Sequence, residues 1–235
     1  MGVAYNDDET LDQLKTWWQR YGTPLLLLIA ALLFSVAGWK WWSSKSLNDA
    51  TAAQGLQQQL QAASQRLSLN AEDKAANTEF QRIGRQLIDE YARTPYATDA
   101  ALLLAKRAVE AGDLAEAEKQ LRWVLDNGAP DETEHLVRTR LARVLAAQKK
   151  PDAALAELDQ VKDASLAPLV DEIRGDIHLA KGDQARAAAA YKAADAALAG
   201  RDEARPLLAL KLAEVGLEPA PRKSDEAAAA EKGAL

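Results

Sequence analysis

The chain has 235 residues, of which none is cysteine and only two are histidine. The absence of thiols excludes a disulfide framework and a lipid-modified N-terminal cysteine. His135 and His178 are the only imidazoles that could act as bases or metal ligands, and His178 is expected to be a packed helix residue. Glu132 and His135 have the Glu-x-x-His spacing of di-iron bundles, but the sequence offers no second pair with two further carboxylates. We therefore predict no metal site and no cofactor.

The sequence also lacks the loops that bind nucleotides and the turn that presents a catalytic serine. It contains no phosphate-binding loop, no glycine-rich dinucleotide fingerprint and no nucleophile elbow. The net charge is -6 and no stripe of Lys and Arg interrupts the acidic background, so nucleic acid is not an expected partner. The chain is predicted not to be an enzyme, and its partner is predicted to be a protein.

Charge is missing from the whole stretch between Arg20 and Lys40. A helix over these residues reaches about 28 Å at about 1.5 Å per residue, close to the thickness of the hydrocarbon core of a bilayer. We predict a transmembrane helix over residues 21–42, surrounded by lipid, after a short segment of residues 1–20. Tryptophan favours the boundary between water and lipid, and it stands at both ends of the stretch as Trp17, Trp18, Trp39, Trp41 and Trp42.

Two other interpretations of this apolar stretch are open. It could be a buried core helix over residues 24–37, although the rest of the chain is amphipathic and offers little apolar surface to cover it. It could also be a cleaved signal peptide, because Ser35-Val36-Ala37 resembles a cleavage site, although a start with four acidic residues fits poorly. The charges do not determine its orientation, since two basic residues on one side are balanced by two on the other.

Helical spacing of apolar residues continues after this stretch. Leu56, Leu60 and Leu67 predict one helix within residues 47–69. Phe80 and the apolar residues that follow it predict a second, antiparallel helix after a polar break at residues 70–76. The first of these helices is rich in glutamine, which is typical of a solvated face, with a coiled-coil-like stalk as the alternative.

A repeat begins after Pro95, with equivalent turns at Gly112-Asp113, Lys149-Lys150 and Gly182-Asp183. The turns at positions 112, 149 and 182 are separated by intervals of 37 and 33 residues. An apolar helical stripe precedes each turn and another follows it. A period near 34 residues with two helices and a tight turn is typical of tetratricopeptide repeats. The outermost residues that we assign to these stripes include Val161 and Ala180.

The residue types at the turns have physical reasons. Gly112 and Gly182 allow the left-handed backbone that ends a helix without a Cβ clash. Asp113 and Glu116 are predicted to form a capping box, and Pro151 suits the first turn of a helix. Small residues are expected where paired helices cross closely, at Ala117, Ala154 and Ala187.

The C-terminal part of the chain is predicted to contain a final helix and a disordered tail. Residues 202–216 predict a closing helix with Pro206 in its first turn, as a stacked array requires. The run over residues 217–235 mixes prolines, charges and alanines without periodicity, which predicts a disordered tail. The predicted fold class is therefore all-α: a single N-terminal transmembrane helix and a tetratricopeptide-like α-solenoid over residues 47–216.

Six short strings add to this architecture: Gly38-Trp39-Lys40-Trp41-Trp42, Arg140-Leu141-Ala142-Arg143-Val144, Asp152-Ala153-Ala154-Leu155, Leu158-Asp159, Arg174-Gly175-Asp176 and Lys181-Gly182-Asp183. Together they resemble the YfgM family, the ancillary subunit of the bacterial SecYEG translocon. The resemblance covers about residues 12–216 and is most specific over residues 140–194. The Lys149-Lys150 turn and the tail after Leu217 depart from the expected pattern.

The resemblance implies a bacterial inner-membrane protein that crosses the membrane once, with residues 1–20 in the cytoplasm and the repeat domain in the periplasm. It implies a scaffold beside the SecYEG translocon, working with periplasmic chaperones such as the PpiD-type foldase or with emerging secretory chains. By analogy with tetratricopeptide grooves, the residues expected to bind protein are Leu102, Lys106, Val109, Thr139, Arg143, Glu172 and Asp176. Each of them could equally be solvated surface.

Two other functions stay open at this stage. The repeat face and the glutamine-rich helix could build a homo-oligomeric structural membrane protein with no role in translocation. The chain could also be an adaptor with the opposite topology, its repeat domain facing the cytoplasm.

Overall fold

The computed structural model describes residues 7–198 and 206–219, without the side chains of residues 7–14, 23, 25 and 29. The chain divides into two compact units, with the boundary between Gly55 and Leu56. The described residues form α-helices and one 3₁₀ turn, Ala164–Leu166, which confirms the predicted all-α class. The helices are α1 (Asp7–Leu69), α2 (Lys74–Glu90), α3 (Pro95–Glu110), α4 (Leu114–Asp126), α5 (Asp131–Ala147), α6 (Pro151–Asp159), α7 (Ala167–Ala180), α8 (Gln184–Leu198) and α9 (Pro206–Glu214).

The first unit consists of the part of α1 up to Gly55. The two helices predicted over residues 21–42 and within residues 47–69 are one continuous helix. The expected separation is absent because residues 43–46 contain neither proline nor glycine to interrupt the backbone hydrogen bonds. Pro24 lies inside the helix.

Among the described residues, one helix is long and apolar enough to cross a membrane. Its apolar window has a mean hydropathy of 1.5, and none of the window is buried. Leu33 is 61% exposed and Phe34 is 79% exposed. The alternative of a buried core helix is therefore wrong, because a core helix would be covered by other parts of the chain. The exposed indoles of Trp39, Trp41 and Trp42 follow this stretch.

The second unit begins with a helical hairpin formed by the end of α1 and by α2. Asp73 caps α2, and its Oδ1 accepts a hydrogen bond of 2.9 Å from the Ala76 N–H. Arg66 links the two helices through ion pairs with Asp73, at 3.1 Å, and with Glu79, at 3.2 Å. The predicted break is confirmed, but α2 begins at Lys74, inside the stretch assigned to the break, because Asp73 is the capping residue.

The three turns of the repeat share one hydrogen-bonding pattern. At the first turn the Asp113 N–H donates to Ala108 O at 2.8 Å and the Gly112 N–H donates to Val109 O at 3.0 Å. This pair of bonds is a Schellman motif, in which the residue at the C′ position has a positive φ. The same two bonds occur at the second and third turns. The C′ residues of the three turns are Gly112 (φ 77°), Lys149 (φ 61°) and Gly182 (φ 78°).

The second turn therefore matches the others in geometry although its residues differ. Lys149 is the one non-glycine residue with a positive φ among those described. A side chain in this conformation costs about 1–2 kcal/mol through contact between Cβ and the following carbonyl. The prediction of three equivalent turns is thus correct even at the Lys149-Lys150 turn, where the residues differ from Gly-Asp.

Some details of the helices differ from the predictions. Only half of the expected capping box forms: Asp113 Oδ1 accepts from the Glu116 N–H at 3.0 Å, but the Asp113 N–H is used by the Schellman motif. Val161 lies beyond the end of α6, because its N–H bonds to Leu158 O and tightens the last turn. Ala180 is exposed rather than part of the core. Ala117, Ala154 and Ala187 are completely buried, as predicted for close helix crossings.

Helices α4, α5 and α6 are tied together by ion pairs on their outer surface. Glu157 of α6 accepts from Arg138 of α5 at 2.8 Å and from Arg122 of α4 at 3.4 Å. Glu118 of α4 pairs with Lys150 at 3.1 Å. Because Glu157 contacts both α4 and α5, these ion pairs help to fix the distance between α4 and α5, which form the base and one side of the groove described below.

The array closes with α9. Leu208 and Leu212 pack into a buried cluster with Tyr191 and three neighbouring residues of α8. Leu207 and Leu210 of the same helix are 68% and 67% exposed. The predicted start of this helix at Asp202 and the predicted tail from residue 220 onward lie outside the described residues.

Candidate functional site

A groove lies between α3 and α5, with α4 beneath it. Its volume is about 610 Å³, within the range of about 300–1,000 Å³ that is usual for ligand pockets. Most of its lining is apolar, and the charged residues are three bases and one carboxylate. The apolar residues are Leu102, Leu103, Ala105, Val109, Leu114, Leu121, Val144 and Ala147, and the charged ones are Lys106, Glu110, Arg140 and Arg143.

Helical spacing explains how these side chains reach the same groove. Leu102, Lys106 and Val109 lie four and three residues apart and therefore share one face of α3. Arg140 and Arg143, three residues apart, share one face of α5. Helix α4 packs against both α3 and α5, and its leucines form the apolar base between them.

The charges of the groove are only partly neutralised. Glu110 lies 3.8 Å from Lys106 Nζ and 3.5 Å from Arg107 Nη1. Within residues 7–198 and 206–219, Arg140 and Arg143 make no ion pair and no side-chain hydrogen bond, and both are exposed. Arg138 differs, because it pairs with Glu134 and with Glu157, each at 2.8 Å. The groove thus presents two guanidinium groups whose hydrogen-bond donors face solvent.

A second, smaller cavity of about 80 Å³ adjoins this groove. Leu103, Lys106 and Glu110 line both cavities. Arg107 of α3, three residues of α1 and one of α2 complete the smaller one: Ser64, Leu67, Ser68 and Phe80. The indented surface of the second unit therefore continues from α5 across α3 to the end of α1.

Four of the seven predicted binding residues line the groove: Leu102, Lys106, Val109 and Arg143. Thr139 does not line it; its side chain is 2% exposed, and its Oγ1 donates to Leu136 O at 2.7 Å. The prediction omitted Arg140 and Leu103. Arg140 could have been found, because it lies one helical turn before Arg143.

Glu172 and Asp176 contact the closing helix and do not line the groove. Lys211 Nζ of α9 lies 2.7 Å from Glu172 Oε1 and 2.8 Å from Asp176 Oδ1. The Tyr191 hydroxyl donates to Asp176 Oδ1 at 2.9 Å. Sequence spacing placed both carboxylates on one face of α7, but it did not show that Lys211 of α9 would contact them.

This network changes the pKa values of two of its members. Burial raises the pKa of the Tyr191 hydroxyl, and the hydrogen bond to Asp176 and the nearby carboxylates raise it further. Burial opposes the charge of Lys211, but its hydrogen bonds to Asp176 and Glu172 outweigh that effect and raise its pKa. Both shifts favour the state in which Tyr191 is neutral and Lys211 is charged.

Neither histidine belongs to a metal centre in the part of the chain that the structure describes. No group of three or more His, Asp or Glu side chains there is arranged to hold a metal ion. The Nδ1 atoms of His135 and His178 are buried and have no hydrogen-bond partner. Both rings lie on helices, His135 in α5 and His178 in α7.

The sequence of this array of paired helices matches a known family model. The tetratricopeptide repeat-like domain matches residues 15–217 of the chain. The chain belongs to this family. As a tetratricopeptide repeat-like protein, it has the fold that the spacing of its turns predicted.

Known relatives share most of the length of this tetratricopeptide repeat-like protein. It is 28% identical over 212 residues to the ancillary SecYEG translocon subunit of Neisseria gonorrhoeae, which covers 90% of this chain and 98% of the relative. It is 27% identical to the proteins of the same name from Haemophilus influenzae and Escherichia coli. These alignments cover 82% of this chain in each case, and 90% and 89% of the two relatives. The resemblance found in the sequence is thereby confirmed.

Proposed function

We propose that this protein is a membrane-anchored, non-enzymatic scaffold that works beside the SecYEG translocon. Its groove between α3 and α5 holds a segment of a partner protein, either a periplasmic chaperone of the PpiD type or an emerging secretory chain. The observation that carries the proposal is the open, apolar groove with two arginines that have no ion pair within residues 7–198 and 206–219. The similarity to ancillary SecYEG translocon subunits supports the proposed place beside the translocon.

The proposed location is the bacterial inner membrane. The uncharged part of α1 crosses the bilayer once, lipid surrounds residues 21–42, and the repeat domain faces the periplasm. The exposure of Leu33, Phe34 and their apolar neighbours supports the membrane segment. Tethering at the membrane raises the effective concentration of the groove near the channel to about the mM range, so a weak contact with the partner is sufficient.

The four groove residues from the predicted set are the proposed contacts. Leu102 and Val109 supply apolar surface, and Lys106 and Arg143 supply charge. Val109 is 47% exposed and lines the groove, so a partner segment seated there would cover it. Thr139, Glu172 and Asp176 serve internal contacts and are not included.

Site-specific photo-crosslinking in membranes tests this proposal. A crosslinker replaces Lys106 or Arg143 in the groove, and a control replaces Lys119 on α4. The control is well matched, because the side chains of Lys106 and Lys119 are 73% and 74% exposed. Translocon components, chaperones or secretory chains should be captured from the groove positions and not from Lys119. If only copies of the same chain are captured, the homo-oligomeric alternative is correct.

The absence of cysteine allows a separate test of topology. A single cysteine introduced at position 119 would be the only thiol in the chain. A membrane-impermeant maleimide should label it in cells with a permeable outer membrane, and a cysteine introduced at position 12 should react only after lysis. The reverse pattern would show that the repeat domain faces the cytoplasm.

A further inference from the structure

We infer that the groove selects acidic amphipathic segments, in which apolar side chains alternate with carboxylates along a protein partner. This inference rests on the proposed function and adds to it the chemistry of the partner. Two features of the groove point to such a segment: its apolar base and the two arginines at its edge.

The apolar base of the groove favours a partner segment with apolar side chains. Leu121 and Val144 form the already buried floor, and the more exposed Leu102 and Val109 supply the apolar area that a partner can cover. Covering this surface removes apolar area from water at a gain of about 25 cal/mol per Å². A purely polar or purely charged segment would lose its hydration against this base without compensation.

The arginines at the edge of the groove favour a partner segment that carries negative charge. Arg140 and Arg143 are unpaired among the described residues, although the chain as a whole has a net charge of -6. Six other arginines of the described chain are paired with carboxylates, whereas Arg85 is exposed and has no ion pair there. Arg140 and Arg143 differ from Arg85 because both line the groove, three residues apart on one helix. Lys106 adds a third positive charge, of which Glu110 neutralises part. A guanidinium group binds a carboxylate through two parallel hydrogen bonds, which favours an acidic partner over a neutral one.

The extent of the surface favours a chain segment over a small molecule. The groove and the smaller adjoining cavity share Leu103, Lys106 and Glu110, so the indentation runs over α5, α3 and the end of α1. A peptide can place successive side chains in both cavities, and a small anion cannot. The occupant is therefore a segment of another protein with carboxylates positioned beside its apolar residues.

A peptide-binding experiment on the full-length protein in detergent micelles tests this inference. Three fluorescent helix-forming peptides share the same pattern of leucines, with Glu, Gln or Lys at the intervening positions. Affinities are measured by fluorescence anisotropy at low and at high salt. The Glu peptide should bind most tightly, the Lys peptide most weakly, and added salt should reduce the difference between them.

Variants locate the binding site. The double variant Arg140→Ala/Arg143→Ala should weaken binding of the Glu peptide about tenfold and leave the Gln peptide within about twofold. Arg85→Ala removes another exposed arginine, on α2, and should leave all affinities unchanged. Val109→Glu should abolish binding of the Glu peptide, whereas Leu210→Glu, at an exposed apolar position of α9, should not. Helical circular dichroism confirms that each variant is folded.

The outcomes separate this inference from the proposed function. If the Glu and Gln peptides bind equally and the double variant has no effect, the groove binds chain segments without charge selection, and only the inference is overturned. If no peptide binds and no partner is crosslinked at Arg143, the proposed function is overturned as well. If the Glu peptide binds only by dissociating dimers detected in analytical ultracentrifugation, the occupant is a second copy of the chain, which also overturns the inference.

Discussion

Helix α5 borders an open groove on the side of α3, whereas the corresponding face of α7 is in contact with α9. Arg143 of α5 and Asp176 of α7 occupy equivalent positions, 33 residues apart. The guanidinium of Arg143 faces the groove, and the carboxylate of Asp176 accepts from Tyr191 and Lys211. The same register of the repeat therefore supplies a side chain of the open groove in one repeat and an internal contact in another.

The difference between the α5 face and the α7 face shows which charged side chains remain free to contact a partner protein. At the end of the array, the carboxylates of Glu172 and Asp176 receive a lysine from α9, so their charge contributes to stability. In the groove, Arg140 and Arg143 of α5 receive no carboxylate among the described residues, so their charge is available to a partner. Substitutions at the closed end should reduce stability, and those in the open groove should mainly reduce binding.

The largest expected effect is that of Tyr191→Ala. Tyr191 is 1% exposed and fills the space between α7, α8 and α9, so truncation should reduce the free energy of unfolding by about 3–5 kcal/mol. Val109→Ala in the open groove should cost less than about 1 kcal/mol, because Val109 is half-exposed. Denaturant unfolding followed by circular dichroism measures both values. Equal losses would show that the two faces do not differ in the way described.

Gly175→Ala should have the next largest effect. A Cβ at Gly175 would clash with Cδ1 and Cε1 of the Tyr191 ring, so the tyrosine must move. Overpacking of this kind costs about 1–3 kcal/mol. Gly55→Ala is the matched control, because a Cβ at Gly55, also inside a helix, meets nothing within 4 Å. The control should be neutral or slightly stabilising. A neutral Gly175→Ala would mean that the ring packs less tightly on α7.

The contact between α7 and α9 should also make the stability of the protein depend on pH. The pKa values of Lys211 and Tyr191 are both raised in the folded protein. Stability from these groups is complete below their unfolded pKa values near about 10, and it is lost as the pH rises towards the folded values. Unfolding free energies should therefore fall above pH about 10.

Lys211→Met is the variant that tests this dependence. It should lower stability by about 1–2 kcal/mol at neutral pH, because Glu172 and Asp176 lose their cation in a partly solvated site. It should also flatten the alkaline loss of stability. Arg143→Met in the open groove should change neither the stability at neutral pH nor the alkaline profile. An unchanged profile in Lys211→Met would show that the network does not control it.

The smallest effect on stability is expected at Lys149, in the turn that follows α5. Lys149→Gly removes a side chain from a residue with φ 61° and should raise stability by about 0.5–1 kcal/mol. Lys149→Ala retains a Cβ and should give little or no gain. Thermal unfolding of both variants beside the wild type measures the difference. A similar gain in both would assign the effect to charge and not to the backbone.

Most of the fold could be predicted because it follows from local rules. The turns at Gly112 and Gly182, the first-turn position of Pro151 and the completely buried Ala117, Ala154 and Ala187 are features of spacing and residue type. The prediction was less successful where neighbouring elements compete. The Asp113 N–H is used by a Schellman motif and is not available to Glu116, and α1 continues without a break after the apolar stretch.

The sequence by itself determined the helical repeat, the uncharged stretch of α1 and the residues that share one face of each helix, because helical periodicity fixes the direction of each side chain. Only the tertiary structure decided which of those residues stay open. That choice depends on where α4 and α9 pack, and these contacts join residues far apart in the chain: Lys211 reaches Glu172, 39 residues before it. No local pattern records such a contact, so Arg143 and Asp176 look equivalent until the helices are assembled.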